Sequence, residues 1–405
     1  MNNPGNQINT LRSKLDAGER DVDDKADRKI LLEFSDELQL LKTQYTDHRH
    51  LKLLRHCTRM AEHVGGLADA LEEKDAAEDI VRWIHATYDN EETNQDYRVA
   101  LKVFGRRVSD ANGDDPPESL EWVPSTTSRS YNPSPDPAEM LVWDDDVKPM
   151  IDAARNSRDK ALIAVQFDAG LRGGELYDLT IGDVSDSEHS VKLRVDGKTG
   201  QRSVDLIPSV PYLNRWIADH PADGDPDAFL WSKLSTAERY SYQRFLQGFK
   251  EPAERAGVTK PVTPTNFRKS NATWLASQGA NAALIEDRQG RTRGSDAVAR
   301  YVATFGDEAE KQYAAMHGLD VDLDEPEEIA PLTCPRCDKE TPRDKDLCVW
   351  CGQALSPEAA DEVTAQDRRF FDSAAGAEGD LLDDVAEARE LLDEQPALRR
   401  LLLDD

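Results

Sequence analysis

Two short stretches, Val191–Val195 and Arg202–Ile207, alternate apolar and polar residues with a period of two, and Asp196-Gly-Lys-Thr-Gly200 between them is turn sequence. Such alternation marks half-buried strands, and two of them across a glycine-bounded turn make a hairpin. The turn carries Lys198 at its tip; taken alone, that is a solvent-exposed lysine. The surrounding text has helical spacing, so the fold class is mainly α with a small β-hairpin or sheet.

That helical text falls into two bodies. From Ala26 to about Ser109, apolar residues recur at helical spacing: Ile30, Leu31, Phe34, Leu38 and Leu41, then Leu51, Leu54, Met60 and Val64. Ile80, Val81, Ile84 and Tyr88 follow, then Tyr97, Leu101 and Phe104. Residues 25–110 are therefore expected to form a bundle of four or five helices. Residues 1–24 are polar and read as a frayed tail. Residues 111–138, rich in Pro, Ser, Asp and Gly, read as a linker running extended over a surface. In the second body, residues 139–318, Gly170 and Gly173-Gly174 break the helical text around Arg172, and Glu175, Leu176 and Leu179 restart it. An arginine on such a turn sits by the positive end of a helix and its unpaired N–H groups, a natural phosphate site.

Residues Thr265 to Tyr301 concentrate charge. Arg268 opens a helical run with Ala272, Trp274 and Leu275, continued by Ala282, Leu284 and Ile285. Arg288, Arg291, Arg293 and Arg300 follow, and Tyr301 closes the segment. Arginine presents a planar fork of donors suited to phosphate oxygens. A tyrosine hydroxyl among such cations is drawn toward phenolate, a nucleophile for a phosphodiester. In isolation the segment reads more simply as a solvated basic face with a half-buried tyrosine.

Four of five cysteines fall as Cys334-x2-Cys337 and, after ten residues, Cys348-x2-Cys351, leaving Cys57 over. Thiolates spaced by two reach one ion from a tight turn, and two such pairs close a tetrahedral structural zinc site. Residues 331–355 are thus expected to be a zinc ribbon with too little core to fold without its ion. An acidic linker, 319–330, precedes it. An acidic helical tail, 356–405, follows, with Leu381, Leu382, Val385, Leu391, Leu392, Leu398 and Leu401 at helical spacing. His48, His50, His56, His63 and His85 have no partner at ligand spacing and read as solvated or capped.

Asp plus Glu number 79 against 50 Lys plus Arg, a formal charge of −29. That balance opposes nucleic-acid binding in ordinary salt. Two conditions lift the objection: local basic clusters, or molar salt, where the Debye length falls to about 3 Å. Carboxylates spread through every segment point to a halophilic source. No apolar run approaches the length of a membrane span and the N-terminus is polar, so a cytoplasmic protein without membrane contact is expected.

The order of pieces is itself informative. A helical domain, a linker, Ala169-Gly-Leu-Arg-Gly-Gly-Glu-Leu176, a hairpin with Gly197-Lys-Thr-Gly200, then Arg268 with Ala272-Thr-Trp-Leu-Ala276 and a closing Tyr301 resemble the tyrosine recombinases. These are site-specific recombinases of the phage-integrase type, here haloarchaeal-like and with a C-terminal zinc ribbon; the resemblance covers roughly residues 30–315. It implies a helical DNA core-binding domain at 25–110 and a mixed α+β catalytic domain at 139–318. Arg172 and Arg268 resemble the arginines that clamp the nonbridging oxygens of the scissile phosphate. Lys198 resembles the lysine that protonates the departing 5′ oxygen, and Tyr301 the nucleophile that forms a 3′-phosphotyrosyl link. Glu175 would orient its neighbours. The covalent link conserves phosphodiester energy, so neither ATP nor a metal is needed for catalysis. Duplex DNA and further copies of the chain, a tetramer during recombination, are the implied partners in DNA integration and recombination.

Two positions depart from the family pattern. Thr265 stands where histidine usually lies three residues before the second arginine, and Arg291 follows Gly290 where histidine or tryptophan is usual. Threonine exchanges no protons near neutral pH, and losing one such group typically costs about 10² to 10⁴ in rate. Arg291 remains able to donate to phosphate. Two other readings stay open: a DNA-binding protein that keeps this fold without turnover, and a zinc-ribbon interaction protein for which DNA is irrelevant.

Overall fold

In the N-terminal unit, helix starts coincide with short polar residues whose side chains take the first unpaired N–H groups. The structure, a computed structural model, describes residues 3–109, 115–132, 134–187, 190–197, 200–305, 317–319 and 328–375. They divide into two units, 1–133 and 134–405.

The N-terminal unit holds α1 (Pro4–Asp16), α2 (Lys25–Leu40), α3 (Asp47–His63), α4 (Lys74–Thr87), α5 (Glu91–Val108) and a single turn, α6 (Glu118–Glu121). Asp24 accepts from the Ala26 N–H at 2.8 Å to open α2, and Asn90 accepts from Thr93 N–H at 2.9 Å to open α5. Leu31, Leu38, Leu54, Met60, Ile84 and Leu101 are fully buried in one core, where the rings of Phe34 and Phe104 meet edge-on at 5.4 Å.

Two sequence expectations need correction here. Residues 1–24 are not a frayed tail, because α1 sends Ile8 and Leu15 into this core and Val22 joins them. Ile8, Leu11 and Leu15 recur at helical spacing on α1, with Leu11 half-buried against the same core, a stripe too short to outweigh the polar text around it. Nor is the described part of 111–138 an extended surface strand. Leu120 and Val123 enter the same core, the Ser119 hydroxyl donates to the Ala70 carbonyl at 2.8 Å, and Arg98 donates to the Thr126 carbonyl at 3.0 Å. Its loop-like composition hides two anchoring side chains.

The second unit is built on α8. Its elements are α7 (Lys148–Ala153), α8 (Ser157–Ala169), α9 (Gly173–Tyr177), β1 (Val184–Asp186), β2 (Val191–Gly197), β3 (Gly200–Leu206), α10 (Val210–Ala218), α11 (Tyr242–Ala256), α12 (Pro264–Ser277), α13 (Ala282–Gln289) and α14 (Asp296–Phe305), followed by β4 (Leu332–Thr333), β5 (Glu340–Thr341) and α15 (Pro357–Ala375). From Ala161 to Ala169 every residue of α8 is buried, so α7, α10, α11, α12 and β3 pack around it. A helix buried on all sides belongs at a domain centre, and its polar Gln166 and Asp168 make hydrogen bonds there. Strands β2 and β3 pair antiparallel from Val191 opposite Leu206 to Gly197 opposite Gly200, the hairpin that the alternation indicates. Strand β1 adds a third, antiparallel member, too short at three residues to show a period. No helix among the described residues is long and apolar enough to cross a membrane.

Because Leu15 is fully buried, Leu15→Ala should lower the unfolding free energy by about 2–5 kcal/mol, the usual range for such a core truncation. Urea unfolding in molar KCl measures this, and an unchanged midpoint would return α1 to the status of a loose tail.

Candidate active site

Glu175 organises the first half of the site. The chain leaves α8 at Gly170, passes through Arg172 and enters α9, whose third residue is Glu175. One carboxylate oxygen accepts the Arg172 backbone N–H at 3.0 Å and Arg202 Nη2 at 2.7 Å, and the other accepts Arg172 Nη1 at 2.7 Å. Burial pushes the Glu175 carboxyl upward, but hydrogen bonds from Arg202 and Arg172 outweigh it and hold the group below the ordinary carboxylate value. Both arginines also reach the end of α13. Arg172 Nη2 donates to the Gly290 carbonyl at 2.9 Å, and Arg202 Nε to the Arg288 carbonyl at 3.1 Å. Gly290 adopts φ 58°, and a Cβ there would lie 2.6 Å from Arg202 Nη1. Glycine is required at that close approach. At the start of α9, which has five residues, Glu175 already takes the backbone N–H of Arg172.

Arg268 organises the second half. Thr263 accepts from the Asn266 N–H at 3.2 Å and Pro264 takes the first position of α12, directing Phe267, Arg268 and Asn271 inward. Arg268 is 8% exposed, donates to the Gly170 carbonyl at 3.0 Å, and makes no ion pair among the described residues. Burial, with the charges of Arg291, Arg172 and Arg202, drives its guanidinium down to about 9, against the pull of Glu175. Gln289, fully buried, donates to the Arg268 carbonyl at 2.9 Å and Asn271 Oδ1 at 2.8 Å, while its Oε1 accepts Arg291 Nε at 2.8 Å. Arg291 is thereby held with its guanidinium 5.6 Å from the ring centre of Tyr301 and hydrogen-bonded to that side chain.

Tyr301 lies in α14 within a small apolar cluster with Ala272, Ala276, Ile285 and Val298 and is 5% exposed. Burial raises its hydroxyl above the usual value, and Arg291, Arg268 and Arg300 counter this only in part. The tyrosine here is a phenol, not the phenolate that its cationic neighbours suggest.

Of the residues singled out from the sequence, Arg172, Arg268, Arg291 and Tyr301 come together. Lys198 lies outside the described residues, between Gly197 and Gly200. Thr265 is exposed in the first turn of α12. Other arginines of the segment are occupied: Arg288 pairs with Asp168 at 2.9 Å and Arg293 with Asp287 at 2.6 Å. Sequence reasoning passed over Arg202 and Gln289. Arg202 shares the period of Val204 and Leu206 on the inward face of β3, so a charge at an apolar-phase position was a readable signal. Nothing in the text around Gln289 distinguishes it. Two of the five histidines are internally engaged: His50 bonds Ser35 Oγ at 2.8 Å and His85 bonds Asn94 at 3.2 Å. None joins a metal-ligand cluster among the described residues.

The Sγ atoms of Cys334, Cys337, Cys348 and Cys351 lie within 4.8 Å of one another, with Cys334–Cys351 and Cys337–Cys348 both at 3.7 Å. Four thiolates about 2.3 Å from one tetrahedral ion stand about 3.8 Å apart, so the donors fit a single metal ion. The Trp350 N–H donates to Cys348 Sγ at 3.4 Å. The ribbon docks on its own unit: Asn214 donates to Glu340 at 3.4 Å, Lys345 pairs with Asp152 at 2.9 Å, and Arg215 lies 5.5 Å from the Trp350 ring centre. Most of the acidic linker, and the tail leucines from Leu381 to Leu401, lie outside the described residues.

Residues 142–306 match the phage integrase family. Tyrosine recombinase XerD of Pseudomonas putida is 31% identical over 145 residues, 34% of this chain and 47% of its own length. Tyrosine recombinase XerA of Pyrococcus horikoshii is 26% identical over 174 residues, 42% of this chain and 60% of its own length. This chain thus spans about half the length of the curated relatives it matches. Among solved structures, a lambda integrase dimer bound to a core site has a TM-score of 0.52 at 14% identity, covering 73% of this chain and 79% of its own. The Tn1549 transposon integrase in complex with transposon right-end DNA also has a TM-score of 0.52 at 14% identity, covering 71% and 98%. At those identities the likeness is one of fold.

Glu175 contributes as a carboxylate. With its folded pKa below the unfolded value near 4.5, its stabilisation is present above that value and is lost as pH falls through the depressed folded pKa. Glu175→Gln should cost about 3 kcal/mol near neutral pH, the lower end for breaking a buried pair because Arg172 is partly solvated. The gap from wild type should close on acidification. Urea unfolding of both proteins between pH 7 and about 3 tests this; curves that stay parallel throughout count against it.

Proposed function

We propose that this chain, a member of the phage integrase family of tyrosine recombinases through its residues 142–306, is a site-specific recombinase that cuts and rejoins duplex DNA through a 3′-phosphotyrosyl intermediate. The observation that carries this reading is Arg268, a buried guanidinium without a carboxylate partner among the described residues of a chain with 79 acidic residues. A buried charge of that kind is costly alone, and it shares its surroundings with Arg172, Arg291 and a tyrosine. A phosphodiester is the anion that uses all four.

Arg172 and Arg268 bind the nonbridging oxygens and stabilise the charge of the pentacoordinate transition state. Arg291 adds a third fork, and on meeting phosphate it releases its hold on the Tyr301 hydroxyl. The Tyr301 oxygen attacks phosphorus and passes its proton to water, the bond to the 5′ oxygen breaks, and Lys198 protonates that leaving oxygen and is recharged by a proton from solvent. Attack by a 5′ hydroxyl on the phosphotyrosine runs the step in reverse. Phosphodiester energy is conserved, so no ATP or catalytic metal enters. With Thr265 in place of an imidazole, the rate falls by about 10² to 10⁴ for want of one proton-transfer group. Residues 25–110 serve as the DNA core-binding domain, and the four cysteines hold one structural zinc. The acidic surface fits a halophilic cytoplasm, where molar salt screens like-charge repulsion. Lambda integrase has been solved as a dimer on a core site and as a tetramer on a Holliday junction, which supports multimeric assembly of this chain on DNA.

A nicked suicide duplex in molar KCl should trap a covalent protein–DNA adduct with the wild type. Tyr301→Phe should abolish it, and Arg268→Ala should slow its formation by about 10² or more, as for loss of one preorganised donor. DNA retention with no wild-type adduct would sink strand cleavage and leave a binding protein. Metal analysis should find one zinc per chain, lost in Cys348→Ser; a metal-free wild type rejects the zinc assignment.

A further inference from the structure

In the N-terminal unit a cleft of about 560 Å³ opens between α1 and α3 and reaches Tyr97 of α5. Its rim is cationic although the chain carries a net charge of −29. Lys14 comes from α1, Arg20 from the turn after it, and Arg55 and Arg59 from α3. Glu62, the one carboxylate in the lining, is taken by Arg20 at 2.5 Å. Lys14, Arg55 and Arg59 make no ion pair among the described residues, and Arg55 donates instead to the neutral Gln7 amide at 2.6 Å. Elsewhere surface arginines find acids readily, as Arg194 does with Asp183 at 2.9 Å and Arg12 with Asp36 at 2.7 Å. Arg55 and Arg59 stand one turn apart on one face, where like charges repel. An anion seated between them removes that repulsion.

The inner wall adds a second, independent observation. His56 lies against Tyr97 with ring centres 4.1 Å apart and planes tilted by 41°, and its buried Nε2 has no hydrogen-bond partner. Burial, aided by Lys52, holds this imidazole neutral, with its pKa lowered to about 4. Most buried polar atoms in folded proteins have a partner, so one left without a partner on the wall of a cationic cleft calls for an explanation.

We propose that this cleft is a phosphate-binding site. Arg55 and Arg59 grip the phosphate oxygens, Lys14 adds a point charge, and His56 Nε2 supplies a hydrogen bond from inside. The phosphate is either that of a DNA backbone, a source that rests on the recombinase reading, or that of a free polyphosphate, which does not.

Full-length wild type and the double variant Arg55→Gln with Arg59→Gln, both exposed positions, are compared in KCl solutions by two measurements. Titration with sodium tripolyphosphate is followed by calorimetry, and duplex retention is followed as a function of KCl. A backbone site predicts DNA affinity at least tenfold lower in the variant and a salt slope smaller by about two phosphate contacts, with little tripolyphosphate heat. A polyphosphate site predicts tripolyphosphate binding by the wild type that the variant loses, with DNA retention unchanged. Wild type that retains no DNA but binds tripolyphosphate through these arginines removes the DNA reading and leaves the site standing. Equal DNA affinity and slope in both proteins, with tripolyphosphate heat in neither, overturns the site and leaves the recombinase reading intact. Should the glutamine variant unfold, the pair Arg55→Lys with Arg59→Lys replaces it, and undiminished DNA affinity with no wild-type tripolyphosphate binding again overturns the proposal.

Discussion

The double grip of Glu175 on Arg172 and Arg202 is the contact on which the geometry of the second unit's polar centre depends. One carboxylate fixes an arginine on the turn after α8 and another on β3, and each arginine then reaches a carbonyl at the end of α13. Helix, hairpin and the loop after α13 are thereby set against one another through a single side chain. Its stability follows from strong, short, charge-assisted bonds to a buried carboxylate, where an unmatched partner would be costly. Gly290 belongs to the same constraint, because any side chain there would displace Arg202.

Beyond that node, positive charge is left deliberately unbalanced. A chain with 79 carboxylates has ample means to neutralise its arginines, and Arg158, Arg288 and Arg293 show that it does so. Arg268 and Arg291 instead bond to neutral groups, a carbonyl and the Gln289 amide. Neutral partners orient a guanidinium without discharging its field. Orientation without neutralisation is what a site for a transient anion demands, since a resident carboxylate would compete with the substrate. Gln289 serves that end well: an acid in its place would quench Arg291 as it positioned it.

Much of this was legible beforehand because several signals are local. Alternation announced β2 and β3, Gly170 marked a helix end, and the cysteine spacing located four convergent thiols. What stayed hidden depends on partners distant in sequence. Ile8, Leu11 and Leu15 share a helical spacing but are outnumbered by polar neighbours, and Val22 looks solitary until a core exists to receive it. Leu120 and Val123 sit in text whose proline and serine content argues for a linker, and two buried side chains override it. Arg202 could have been noticed as a charge in an apolar phase, but its carboxylate partner lies 27 residues away. Gln289 has no signal at all, since an amide's role is set by what surrounds it.

The protonation state of Tyr301 shows how burial and charge compete at one atom. Cations on three sides favour phenolate, yet removal from water penalises that anion more, and the hydroxyl remains a phenol. For the nucleophile proposed above, this means protection from side reactions while no phosphate is present and activation that comes with the substrate. Arg291, which holds the tyrosine side chain, is also the group proposed to meet a phosphate oxygen, and in that proposal engaging one loosens the other. Histidine at that position would supply a proton-transfer group but a weaker and pH-dependent charge. Arginine there trades proton handling for a permanent cation, and with Thr265 unable to exchange protons the site leans on electrostatics over acid–base chemistry.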